Sequence, residues 1–203
     1  MAAVDPACAA AQDGTYACFF YGTLMHPQVL ARILACADGG AHLGVQVALL
    51  PSYVAHRVSH AEYPGLAPCR TATAASAASS AAASCVRGVV VRGLTAHDVA
   101  ALDAFEGDEY VRAPVQALVL GAPVPNSLRV ARDLPHLFAH LSPERIARLL
   151  QQQGEQRGEE SMVRRETVQT YLWRDGEGLL EQEWRWEHFV DAHARRWVSG
   201  ERN

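Results

Sequence analysis

The sequence has no paired-cysteine pattern. Its five cysteines, Cys8, Cys18, Cys36, Cys69 and Cys85, are odd in number and form no C-x-x-C motif. A disulfide framework is therefore not expected, and a reducing, cytoplasmic setting fits better. No apolar run is long enough to span a bilayer. The first residues, "MAAVDPACAAAQDGTY", carry no basic n-region, and Asp5 and Asp13 interrupt their small-residue stretch. Residues 1–16 are therefore expected to be a disordered leader and not a signal peptide. Charge of one sign is also lacking. The formal net charge is -4, with acids and bases interspersed, so neither a nucleic-acid face nor a polybasic membrane patch is expected. No repeat of fixed period is visible. What the chain does have is apolar content, 49% of its 203 residues, enough to build a full core.

Short strands dominate the reading along the chain. Ala17 to Tyr21 has the profile of a buried strand. Pro27 opens a helix whose Val29, Leu30, Ile33 and Leu34 share one face. A strand is expected over Gly44 to Val54, a turn at Tyr63-Pro64-Gly65, and a strand over Val86 to Leu94. Thr95, with Asp98 three residues on, caps a helix that Gly107 ends. Tyr110 to Leu120 resumes strand character.

The Ala/Ser-rich stretch at 70–84 is expected to be an exposed loop. Residues 123–165 read as an insertion carrying one helix, "LSPERIARLLQQQ", capped by Ser142 and Pro143 and followed by the charged "GEQRGEES". Thr167 to Asp175 is the next expected strand. Trp186, Phe189, Val190, His193 and Trp197 then fall on the apolar stripe of a closing amphipathic helix. Strands and helices not in strict alternation point to an α+β domain over 17–198, a small mixed β-barrel with flanking helices.

Two stretches can carry chemistry. In "YGTLMH", Tyr21 to His26, a glycine at a strand end lets backbone N–H groups approach a carboxylate or an oxyanion. Taken locally, a plain strand-to-helix turn is the commoner meaning of such a glycine. In "LDAFEGDEYVR", Leu102 to Arg112, Glu106 stands beside the core-facing Phe105. A desolvated carboxyl there would have a raised pKa suited to proton transfer, whereas the bland alternative is a solvated acidic helix end. His56 and His60 have the spacing of a metal pair but no third ligand, so no metal is assigned. His188 and His193 read as packing or surface residues, the cysteines as small hydrophobes, and Ser59 and Ser142 lack a nucleophile context. No cofactor is expected.

"FFYGTLMHPQVL", "YPGLAP", "VRGVVV" and "LDAFEGDEYVR", in this order, resemble the AIG2-like, or γ-glutamylcyclotransferase-like, family over residues 17–120 and, with "VQTYLWRD" and the closing helix, 166–198. The resemblance implies the barrel fold and cyclisation of a γ-glutamyl amine to 5-oxoproline with release of the amine. It implies that Tyr21, Gly22, Thr23, Leu24, Met25 and His26 cradle the γ-glutamyl group, that Glu106 is the catalytic acid/base, and that Tyr171 can line the pocket. The partner would then be a small γ-glutamyl molecule. A binding module of the same fold without turnover, and a protein-interaction domain using the inserted helix, stand as alternatives.

Overall fold

The computed structural model describes residues 14–69, 84–152, 163–174 and 176–200. Most of the expected leader, the Ala/Ser stretch before Ser84 and the segment at 153–162 lie outside the described residues.

The apolar, β-branched runs form the strands. In chain order these are β1 (Tyr16–Phe20), β2 (Gly44–Pro51), β3 (Tyr53–Val58), β4 (Pro64–Pro68), β5 (Cys85–Leu94), β6 (Tyr110–Leu120), β7 (Val124–Pro125), β8 (Val163–Trp173) and β9 (Leu179–Glu183). Five of them close on themselves in the order β5-β1-β8-β6-β2-β5, and β7 pairs with the first residues of β2 on the edge that β6 occupies further along. β1 and β8 run parallel, and the other pairs are antiparallel. A closed barrel leaves no barrel edge unpaired. A second sheet, β4-β3-β9, lies beside it.

The helices are α1 (Pro27–Ile33), α2 (Ala96–Glu106), α3 (Leu128–Ala139), α4 (Pro143–Gln152), α5 (Trp186–Ala192) and α6 (Ala194–Ser199). A 3-10 turn over Thr23–Met25 links β1 to α1. α2 starts in a complete capping box. The Thr95 hydroxyl accepts from the Asp98 amide, and the Asp98 carboxylate accepts from the Thr95 amide. It ends at Gly107, whose φ of 65° suits only glycine without strain. Fully buried Phe19, Leu49, Leu50, Leu94, Leu102, Leu118, Leu134 and Phe189 anchor the apolar core.

The α+β barrel is the architecture expected from the sequence, but local details differ. The single strand expected over Gly44 to Val54 is divided between β2 and β3, which belong to different sheets and part at Ser52, where φ is 67°. Pro64-Gly65 opens β4, and the chain reverses earlier, at Ser59-His60, where His60 takes a φ of 63°. β7, β9 and α3 carry no expectation above. The apolar side of α3 (Val130, Ala131, Leu134 and Phe138) is real, but Pro135 lies inside the helix and masks the pattern. The closing helix is two helices, broken at His193, where φ is -125° and ψ is -26°. Its stripe still faces the body, because Phe189 and Trp197 pack edge to face 6.1 Å apart. The described helices of the 123–165 segment also pack inward, with Phe138, Leu141 and Ile146 in the main core. That burial weighs against a helix held out for a partner.

Gly88, in the middle of β5, shows how tightly the barrel closes. A Cβ there would lie 2.3 Å from the Phe20 carbonyl oxygen and 2.5 Å from the Phe19 ring. Backbone cannot yield as a flexible side chain can. Gly88→Ala should lower the unfolding free energy in urea by more than about 2 kcal/mol. A change within about 0.5 kcal/mol would mean that the barrel is looser than described.

Candidate active site

A cavity of 460 Å³ opens at one end of β1, β6 and β8 and is bounded by α2 and α6. Its floor comes from the end of β1 and the 3-10 turn: Tyr21, Gly22, Thr23 and Leu24 line it, and all but Gly22 are buried. The Met25 and His26 amides are taken by the carbonyls of Gly22 and Thr23 at 3.0 and 3.1 Å. Those of Thr23 and Leu24 come before the first such bond in the turn and have no intrahelical acceptor.

The glycine here is required by contact, and not by φ, which is -128°. A Cβ on Gly22 would sit 2.7 Å from Cγ and 2.8 Å from Cδ of Pro64. The Pro64 ring thus lies directly on the strand end, and the Tyr110 hydroxyl holds it there by donating to the Pro64 carbonyl at 2.8 Å.

Glu106, the last residue of α2, lines the same cavity and is half-buried. The motif around it accounts for its position. Asp103, one turn earlier, grips Arg112 of β6 at two points, 2.8 and 3.3 Å, and accepts from the Tyr171 hydroxyl at 2.8 Å. Gly107 turns the chain so that Glu109 accepts from Tyr63 at 3.0 Å and Tyr110 reaches Pro64. Burial among protein atoms pushes the Glu106 carboxyl up from its ordinary 4.5 to about 8. Tyr21 and Tyr110 feel this carboxyl, and burial first, with Glu106 adding, raises both phenols. The Tyr21 hydroxyl donates to the Tyr171 carbonyl at 2.7 Å.

The outer wall is aromatic. Trp197 of α6 meets Phe105 and Tyr63 edge to face at 6.2 and 6.3 Å. Glu62 fixes α6 to this wall. It binds Arg196, accepts from the Trp197 indole at 3.0 Å, and lies 3.0 Å from the His193 Nδ1. The break at His193 lets that ring reach Glu62.

Of the residues singled out in the sequence, Tyr21, Gly22, Thr23, Leu24, Glu106 and Tyr171 thus line one cavity. Met25 and His26 do not. Both are buried, Met25 borders a separate cavity, and His26 lies 6.4 Å from Trp186 with its Nδ1 unpartnered among the described residues. Tyr171 presents no free hydroxyl, since Asp103 holds it. Tyr63, Glu109 and Tyr110 escaped notice as site residues although each stands in a quoted motif. Glu62 and Arg196 carry no sequence signal, because the fold alone joins them.

His56 and His60 do not act together: His60 lines the cavity, while the His56 Nδ1 meets the Leu180 carbonyl at 2.9 Å. Among the described residues, the donor atoms of Cys36, Asp38 and His42 lie within 4.8 Å of one another, away from the cavity. Asp38 is already engaged there by His42 and the Gly40 amide.

A closed five-stranded barrel with a carboxyl and a strand-to-helix turn lining one cavity at its mouth defines a class of small α+β proteins. The profile described as "Gamma-glutamyl cyclotransferase, AIG2-like" matches residues 18–130, and the chain belongs to that family. No curated protein matches it. Among solved structures, one Arabidopsis thaliana protein is 18% identical, with 95% of this chain and 81% of that one covered and a TM-score of 0.50. A second Arabidopsis thaliana protein is 19% identical, with 95% and 92% covered and a TM-score of 0.48. A yeast γ-glutamyl cyclotransferase specific to glutathione is 16% identical, with 84% and 74% covered and a TM-score of 0.42. At these identities the likeness is one of fold. No helix among the described residues is long and apolar enough to cross a membrane.

The raised Glu106 carboxyl has a stability signature. A folded-state pKa above the unfolded one means that ionisation disfavours the fold. The penalty is absent below about 4.5, grows as pH rises, and is complete above about 8. Glu106→Gln, which cannot ionise, should therefore melt above wild type at pH 9, by about a few degrees. The gap should close by pH 4.5. A gap independent of pH would show that the carboxyl is not desolvated.

Proposed function

We propose that the chain is a γ-glutamylcyclotransferase that converts a small γ-glutamyl compound to 5-oxoproline and a free amine, with Glu106 as acid and base. The observation that carries this reading is the one cavity lined both by Glu106 and by Gly22, Thr23 and Leu24 of the turn. The family supports the reaction class.

The substrate's α-nitrogen must attack its own γ-carbonyl. The two groups belong to one molecule, so a cavity that holds the γ-glutamyl chain folded removes most of the entropic barrier. Ionised Glu106 accepts a proton from the α-ammonium and frees the nucleophile. The new C–N bond forms and a tetrahedral oxyanion develops on the former carbonyl oxygen. The old amide C–N bond then breaks as the protonated Glu106 returns a proton to the leaving nitrogen. Overall, the α-nitrogen loses two protons and the departing amine gains two. One is relayed by Glu106, and the rest exchange with solvent through the open mouth. The step needs no oxidant and no covalent enzyme intermediate.

In the free enzyme at pH 7 a carboxyl with a pKa near 8 is mostly protonated, and only its ionised form can act as base. The value of kcat/KM for 5-oxoproline release should therefore rise with pH and bend near pH 8. Glu106→Gln should lower kcat by about a hundredfold or more and remove the bend. Undiminished release by this variant would eliminate Glu106 from the chemistry. Binding of γ-glutamyl compounds by wild type without any 5-oxoproline would favour a ligand-binding role.

A further inference from the structure

The charged groups on the cavity wall are unequally committed. Glu109 accepts from Tyr63, and Arg196 is held by Glu62 and lies 3.1 Å from the His193 Nδ1. Arg32, in the last turn of α1, is different. Its exposed side chain lines the same cavity, yet among the described residues it has no hydrogen-bond or ion-pair partner. Its position is nevertheless defined: a Cβ on Gly200, just past α6, would lie 3.3 Å from Nη1. The guanidinium therefore rests against the end of α6, which bounds the cavity, on an exposed part of its lining.

We propose that Arg32 is a specificity-determining residue that receives a carboxylate on the leaving amine, which makes γ-glutamyl amino acids the preferred substrates over γ-glutamyl amines that lack that carboxylate. The inference rests on the cyclotransferase reading above. A guanidinium offers a planar fork of donors matched to a carboxylate, and an unpaired fork at a rim is available to a ligand without first breaking a protein ion pair. Depth assigns which carboxylate it meets. The α-carboxylate and α-nitrogen of the γ-glutamyl group belong with the buried turn amides and Glu106. The part that departs must point outward, toward the exposed part of the lining, to which Arg32 belongs and to which the Phe105, Tyr63 and Trp197 rings contribute the aromatic wall. Those rings also give an amino-acid side chain an apolar surface to lie on.

The test compares γ-glutamyl-alanine with γ-glutamyl-ethylamine, which differ only in that carboxylate. Affinity would be measured by calorimetry, and 5-oxoproline release would be followed in the same samples. Wild type should bind the alanine compound about tenfold tighter. Arg32→Ala should erase the difference by weakening the alanine compound alone, with the ethylamine affinity unchanged. Equal binding by wild type, or a preference that survives Arg32→Ala, overturns the inference. Equal weakening of both compounds does so too, since Arg32 would then hold the α-carboxylate. In each of these cases continued 5-oxoproline release leaves the reaction itself standing. If neither compound binds, the reaction and the specificity fall together.

Discussion

A Cβ at residue 22 would press into the Pro64 ring at 2.7 Å, and the rest of the site depends on the absence of that atom. The contact joins the chain just past β1 of the barrel to the first residue of β4 in the smaller sheet. It therefore fixes where the 3-10 turn begins. Tyr110 secures the same proline from the other side through its carbonyl. Pro64 is thus clamped between the two long-range motifs of the sequence. Gly65 continues this close packing, because a Cβ there would meet Leu179 at 2.4 Å and the Trp173 ring at 3.1 Å.

The "LDAFEGDEYVR" stretch distributes its work so that, among the described residues, one of its cavity-lining carboxyls is left without a partner. Asp103 is spent on Arg112 and Tyr171, Glu109 meets Tyr63, and Tyr110 meets Pro64. Glu106 is the acid whose burial shifts it far upward. Groups that shape the cavity are satisfied by one another, while the group proposed to move protons sits where neither ionisation state is strongly trapped. Such poise near neutrality is what proton transfer in both directions requires.

The barrel strands were legible in the sequence because β-branched runs such as "VRGVVV" announce burial locally. The α2 boundaries were legible because Thr95, Asp98 and Gly107 act through bonds a few residues long. What stayed hidden depends on distant partners. Pro64-Gly65 looks like a turn until Gly22 and Trp173 are brought against it. The helix break at His193 makes sense only once Glu62 is in reach. α3 was hidden by its internal proline, and β9 by its exposed, acidic sequence. Within "YGTLMH" the pattern could not separate the four residues on the cavity floor from Met25 and His26, which the 3-10 turn directs into the interior.

The most direct measurement is a crystal structure of Glu106→Gln with γ-glutamyl-alanine bound. The account predicts the α-carboxylate against the Thr23 and Leu24 amides, the α-nitrogen within hydrogen-bond distance of residue 106, and the alanine carboxylate on Arg32. A ligand seated outside this cavity, or a residue 106 directed away from the α-nitrogen, would contradict it.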